Sequence, residues 1–190
     1  MESALLVSHS EKDTAFFTGL LSAAGIHHID SIKSVDGARR LMVEQDFDLV
    51  MVNAPLRDES GEDFSRQVAS KGVSQVIFLV DSELFDSASA ACEEDGVLVI
   101  PKPADKALLW SALLIAKSVQ GRMRRMQAEN ALLKQKIEDI RIIDRAKWIL
   151  ISFMKMSEQE AHRYIEKQAM DMRSSKRIIA EGILKRYENF

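Results

Sequence analysis

The sequence is poor in residues that cross-link or stiffen a chain. Among 190 residues there is one cysteine, Cys92. That excludes a disulfide framework and a thiolate zinc cluster, and leaves the thiol as a small apolar filler in a helix. Of the three prolines none follows Pro103, so nothing breaks a helix in the last third of the chain. No run approaches the roughly 18–20 apolar residues of a membrane span, and the N-terminus has no basic stretch leading into a long apolar one. The expectation is a soluble, cytoplasmic protein with no membrane partner.

What is present is enough apolar material for real cores, 46% of the residues, and a lopsided distribution of charge. Residues 1–106 carry 9 Lys+Arg against 19 Asp+Glu, a net of −10, and residues 107–190 carry 17 against 10, a net of +7. Two functional halves are implied, the second facing something anionic.

In the first half, short apolar runs alternate with amphipathic stretches. Residues 4–7 (ALLV), 48–53 (DLVMVN), 75–80 (QVIFLV) and 96–100 (GVLVI) read as strands buried on both faces, and residues 27–30 (HHID) as a weaker fifth. Helical patterns fall near 11–24, 35–45, 62–71 and 84–94, with Gly25 and Gly96 placed to end two of them. Such alternation predicts a parallel sheet covered by helices, with chemistry at the carboxyl ends of its strands.

Over residues 1–115 this pattern resembles the receiver domain of bacterial response regulators. The resemblance implies a flavodoxin-like, five-stranded fold and sets Ser8 and His9 at the family's acidic pair. It sets Asn53 at the phosphoacceptor aspartate, Val80 at the hydroxyl position, and Lys102, followed by Pro103, at the Lys-Pro motif. Only Lys102 keeps the family residue. Mg²⁺ takes anionic oxygen ligands, and Ser8, His9 and Asn53 supply none. An amide oxygen is also a poor nucleophile toward phosphorus, whereas carboxylates form acyl phosphates. The domain therefore reads as a pseudo-receiver, kept for folding, docking or sensing. Asp58 reads as a loop residue capping the next helix. His9, His27 and His28 lack ligand spacing, so no metal and no cofactor are expected.

From about Ala104 the chain turns helical. Leu109, Ala112, Ala116, Val119, Met123, Met126, Asn130, Leu133, Ile137 and Ile140 recur at alternating spacings of three and four, a heptad seam. Asn130 stands at an "a" position, where a buried amide pair selects a parallel dimer in one register, and Glu129 with Lys134 suits an interchain ion pair. Residues 109–116 of the seam are expected against the chain's own sheet. Homodimerisation is assigned to Val119, Met123, Met126, Asn130, Leu133, Ile137 and Ile140. The expected division is a pseudo-receiver over 1–115, a coiled-coil helix over 116–143 and a three-helix bundle over 144–190.

That bundle is written in three stripes. Ile142, Ala146, Ile149, Leu150 and Phe153 close the long helix. Ala161, Ile165, Ala169 and Met172 line the next, which opens on a capping box, SEQE, from Ser157 to Glu160. A third helix, opening near Ser174 or Ser175, presents Ile179, Ala180, Ile183, Leu184 and Tyr187. Ala146-Lys147, Ile149-Leu150, Ser157-Glu158, Glu160-Ala161, Ala169 and Ala180 make residues 142–184 resemble the ANTAR domain, the RNA-binding module of bacterial transcription antitermination regulators. Trp148 departs from the usual glycine, and His162 from a common aromatic or leucine. The resemblance implies a dimer that holds two stem-loops of nascent RNA and prevents a terminator hairpin from forming.

RNA loops present splayed bases for stacking and phosphates for Lys and Arg. The candidates for RNA contact are Arg145, Lys147, Arg163, Lys167, Arg173, Lys176 and Arg177, with Trp148 and Tyr164 as stacking platforms. An adaptor whose pseudo-receiver docks a regulatory protein is the alternative. DNA binding lacks a recognition helix with base-reading residues at its start. An enzyme is not expected, for want of a nucleophile–base pair or a metal cluster.

Overall fold

The strand-forming residues sort cleanly by parity. The structure, a computed structural model, describes residues 1–187. It contains β1 (Ser3–Ser8), α1 (Glu11–Ala23), β2 (His28–Ile32), α2 (Val35–Glu44), β3 (Leu49–Asn53) and α3 (Glu62–Ser70). These are followed by β4 (Gln75–Asp81), α4 (Phe85–Cys92), β5 (Leu98–Lys102), α5 (Lys106–Met154), α6 (Glu158–Asp171) and α7 (Lys176–Tyr187). The five strands form one parallel sheet in the order β2-β1-β3-β4-β5. The parallel sheet is the one expected from the alternation of strands and helices, and its order is the flavodoxin-like receiver fold that the resemblance implied.

Successive side chains of a strand point to opposite faces. Leu5, Val7, Val50, Val52, Val76, Phe78 and Val80 therefore pack beneath α2, α3 and α4, through Val35, Ala38, Phe64, Val68, Ala88 and Cys92. Ala4, Leu6, Leu49, Met51, Ile77 and Leu79 pack against α1 and the root of α5, through Phe17, Leu20, Leu21, Leu109, Ala112, Leu113 and Ala116. Ser10 and Ser34 cap α1 and α2 with their side chains. Gly25 and Gly96 have φ of 79° and 74°, left-handed backbone where a side chain is strained. Asp58 caps differently from expectation. Its Oδ2 accepts from the Asp36 amide at 3.1 Å, so it closes the start of α2 rather than of the helix that follows it.

The chain divides into two compact units, Met1–Arg125 and Met126–Phe190. The first reaches ten residues beyond 115 because α5 keeps packing on its own sheet. Gln120 is buried, and its Nε2 donates to Val73 O at 2.9 Å. Gln75 Nε2 donates to Met123 Sδ at 3.0 Å, so Met123 faces its own sheet domain rather than standing clear for a second chain. Val119 is half-buried, whereas Met126, Asn130, Leu133, Ile137 and Ile140 are exposed.

In the second unit, Ala146, Leu150, Ala161, Ile165, Ala169, Ile179, Ala180 and Leu184 form the core of three packed helical segments. Three residues of the predicted stripes, Phe153, Met172 and Tyr187, fall outside it. Phe153 and Met172 are exposed, the former stacked at 5.7 Å on Tyr187. They lie at the ends of α5 and α6, at the margin of the bundle.

Candidate functional site

The carboxyl ends of β1, β3, β4 and β5 gather the first set of functional residues. Pairing puts Ser8 beside Asn53, Asn53 beside Leu79, and Asp81 beside Lys102. The Asn53 side chain is buried, and its Nδ2 donates to Ser8 Oγ at 3.1 Å and to Asp13 Oδ2 at 3.2 Å. Lys102 Nζ donates to Ala54 O and lies 3.3 Å from Asp81 Oδ1. Both Ala54-Pro55 and Lys102-Pro103 are cis.

Ser8, Asn53 and Lys102 thus converge. Val80 does not join them: strand alternation turns it to the opposite face, into the core with Phe78 and Ala88. His9 is half-buried, and its Nδ1 has no hydrogen-bond partner among the described residues. Two carboxylates escaped sequence reasoning. Asp13 enters from the first turn of α1, and Asp81 from the last residue of β4. Asp81 immediately follows QVIFLV, so counting that strand by parity would have found it. Asp13 needed the cap at Ser10, which fixes how the first turn of α1 sits over the strand ends. With Asn53 at its centre, the site offers no carboxylate at the position from which the family's nucleophile attacks.

The second set lies in the helical bundle. Ser157 and Glu160 complete the predicted capping box. Ser157 N donates to Glu160 Oε2 at 2.8 Å, and Glu160 N to Ser157 Oγ at 3.3 Å. The Ser157 amide and the Ser157 hydroxyl, both donating to Glu160 Oε2, hold the Glu160 carboxyl below its ordinary pKa. The cap fixes the start of α6, and with it the face carrying Arg163 and Lys167. Both are exposed and make no ion pair among the described residues. With Lys155, Tyr164 and Met156 they border an open cavity of about 470 Å³. Tyr164 is half-buried against the core. Trp148 is 69% exposed and available for stacking. Arg145 is exposed as well.

The remaining cations are partly engaged. Lys147 is mostly covered, 2.8 Å from Asp144 and 3.5 Å from Glu158, so it staples α5 to α6. Its hydrogen bond to Asp144 is the main cause of a raised pKa. Lys176 pairs with Glu166 across α6 and α7. Arg177 lies 2.8 Å from both Asp139 and Glu181. Arg173 is exposed and has φ of 48°. It occupies the left-handed position after α6, where Ser174 N donates to Ala169 O and Arg173 N to Met170 O, a Schellman closure.

A receiver-like sheet domain whose acceptor position holds an amide, continued by a long helix into a capped three-helix bundle with an exposed basic edge, defines a class of response regulator. Residues 131–184 match the ANTAR domain family. The chain is 26% identical over 137 residues to the transcriptional regulatory protein PdtaR of Mycobacterium tuberculosis, covering 72% of this chain and 67% of that one. Its sheet domain is similar to the CheY-like receiver domain from Methylobacillus flagellatus, with a TM-score of 0.53 and 22% identity over 61% of this chain and 98% of that one. A receiver domain of an HD domain-containing protein from Pseudomonas fluorescens gives a TM-score of 0.57 and 23% identity, over 65% and 92% of the two chains. Residues 131–184 are thus similar to the ANTAR domain, and the sheet domain has a receiver-like fold. No helix of the described residues is long and apolar enough to cross a membrane.

Proposed function

We propose that this protein is a non-catalytic, cytoplasmic antitermination regulator that binds paired stem-loops of a nascent transcript as a dimer and keeps a terminator hairpin from forming. The observation that carries the reading is the ANTAR match over residues 131–184, whose bundle presents Arg163 and Lys167 exposed and without ion-pair partners among the described residues. Trp148 and Arg173 extend that surface; Arg145, Lys176 and Arg177 are secondary contacts, the last two sharing their charge with Glu166, Asp139 and Glu181. Dimer formation is assigned to the exposed seam of Met126, Asn130, Leu133, Ile137 and Ile140. Independence from aspartyl phosphorylation follows from the amide at Asn53.

The test is equilibrium binding of the full chain to an RNA carrying two adjacent stem-loops, across a salt series. Affinity should fall with salt as counterions are released. Arg163→Ala with Lys167→Ala should weaken binding about tenfold or more and flatten the salt dependence, with helical content unchanged. A wild-type chain that ignores paired stem-loops at low ionic strength, while co-purifying with a regulatory protein, would favour the adaptor role instead.

A further inference from the structure

The sheet domain holds a cavity of about 430 Å³ at the carboxyl ends of its strands, within the size range of small-molecule sites. One wall is apolar: Phe16, Phe17, Leu79, Pro103 and Leu109. The polar side is Asp13, Asn53, Asp81 and Lys102, and their charges do not cancel. Asp81 is compensated by Lys102 at 3.3 Å. The Asp13 carboxylate meets only the neutral Asn53 amide, at 3.2 Å, and has no cation beside it among the described residues.

Asn53 adds an independent sign of a ligand. Its Nδ2 is spoken for by Ser8 and Asp13, which fixes the orientation of the amide, because a carboxylate accepts only from the nitrogen. Its Oδ1 is then a buried acceptor without a donor, on a side chain that lines the cavity and is almost wholly buried. A buried acceptor left without a donor is costly.

These features select the chemistry of an occupant. An anion would face the uncompensated Asp13, and Lys102, the cation among the described lining residues, already serves Asp81 and Ala54 O. A hard metal ion is held mainly through clustered carboxylates, and the described residues gather no group of acidic, His or Cys side chains suited to one. A group with one positive charge and several N–H donors neutralises Asp13 and carries the donors that Asn53 Oδ1, closed to solvent here, lacks, and an apolar body attached to it fills the space between the Phe rings and Leu109. We propose that this cavity binds a small primary ammonium compound with an apolar body. Leu109 belongs to the root of α5, so such a ligand would touch the helix that continues into the ANTAR domain. The proposal is independent of RNA binding.

Benzylammonium is a suitable probe, titrated into the full-length chain and followed by amide chemical shifts. Saturable shifts are expected around Asp13, Phe17, Asn53, Leu79 and Leu109, with none from benzoate or benzyl alcohol at equal concentration. Asp13→Asn should weaken binding about tenfold or more by removing a charge-assisted hydrogen bond. Phe16→Ala, at a half-exposed ring whose loss the fold tolerates, should weaken benzylammonium while leaving methylammonium unaffected. No saturable shifts from benzylammonium, equal shifts from benzyl alcohol, or an Asp13→Asn chain that binds as the wild type would each overturn the assignment.

Discussion

The Asp48 carboxylate and the Arg124 guanidinium, 76 residues apart, form an ion pair that fastens α5 to the amino-terminal edge of the sheet. Asp48 is buried and also accepts from the amides of Glu2 and Ser3, with Gln120 Nε2 at 3.4 Å. Burial by itself would raise the pKa of this carboxyl; the two amides and the Arg124 charge outweigh it and hold the group below the usual carboxylate range. A depressed folded-state pKa contributes stability that is complete above the unfolded value, about 4, and is lost as pH falls through the folded one. Asp48→Ala should therefore cost about 2 kcal/mol or more at neutral pH, since it strands two amides and a guanidinium. The variant should also lose part of the acid-side fall in stability of the wild type. Urea unfolding across pH 3–7 would measure both. A wild-type slope retained in the variant would place that proton elsewhere.

Much of this fold was legible, because strands buried on both faces leave unbroken apolar runs that no surface helix would carry. The failures have a common cause: periodicity says which residues share a stripe, not what covers it. In α5 one heptad repeat serves two surroundings. Leu109, Ala112 and Ala116 face the chain's own sheet, as expected, and Met123 stays with it too, whereas Leu133 and Ile137 are exposed. The degenerate site shows the same limit. The family's pattern led to Val80, but strand parity assigns Val80 to the core and Asp81 to the cavity. Asp13 was invisible without the third dimension. Lys147, Lys176 and Arg177 looked like available cations in the sequence, and only the packed bundle brings Asp144, Glu158, Glu166, Asp139 and Glu181 to them.

The exposed segment of the seam makes a direct prediction. Met126, Leu133, Ile137 and Ile140 are 62%, 55%, 53% and 58% exposed, an apolar stripe that water should not be left to cover. Each buried Leu or Ile contributes about 1.5–3 kcal/mol, and a two-chain seam counts every position twice. Leu133→Glu with Ile137→Glu should weaken self-association by at least about a hundredfold. Sedimentation equilibrium should then show a monomer whose sheet domain unfolds as in the wild type. A wild-type monomer at micromolar concentration, unchanged by Asn130→Leu, would remove the coiled coil from the account.

Lys147 separates stability from RNA contact. It is only 16% exposed at the side chain and bridges Asp144 of α5 to Glu158 at the start of α6. Its pKa is raised, so the stability it contributes is complete at neutral pH and would be lost only as pH rises above the ordinary lysine value. Lys147→Ala should lower bundle stability by about 0.5–1 kcal/mol, through the pairs and the packing of the stem. Thermal unfolding followed by circular dichroism reads this directly. RNA affinity measured well below the midpoint should change little, whereas a large loss of affinity without destabilisation would return Lys147 to the interface.

Arg173 sets backbone strain against function. Its φ of 48° lies in the left-handed region, and it stands at the position of a Schellman closure where glycine is the common choice. An ordinary residue there costs about 1 kcal/mol relative to glycine. Arg173→Gly should therefore stabilise the end of α6 by about 0.5–1 kcal/mol, raising the thermal midpoint of the bundle. The same substitution removes an exposed cation beside α7, so affinity for paired stem-loops should fall and the salt slope should shrink by about one phosphate contact. Arg173→Lys distinguishes charge from backbone, because it keeps both the cation and the strain and should bind nearly as the wild type does. A glycine variant that is more stable yet binds RNA unchanged would mean that the strained arginine serves no contact, and would move the interface away from the α6–α7 turn.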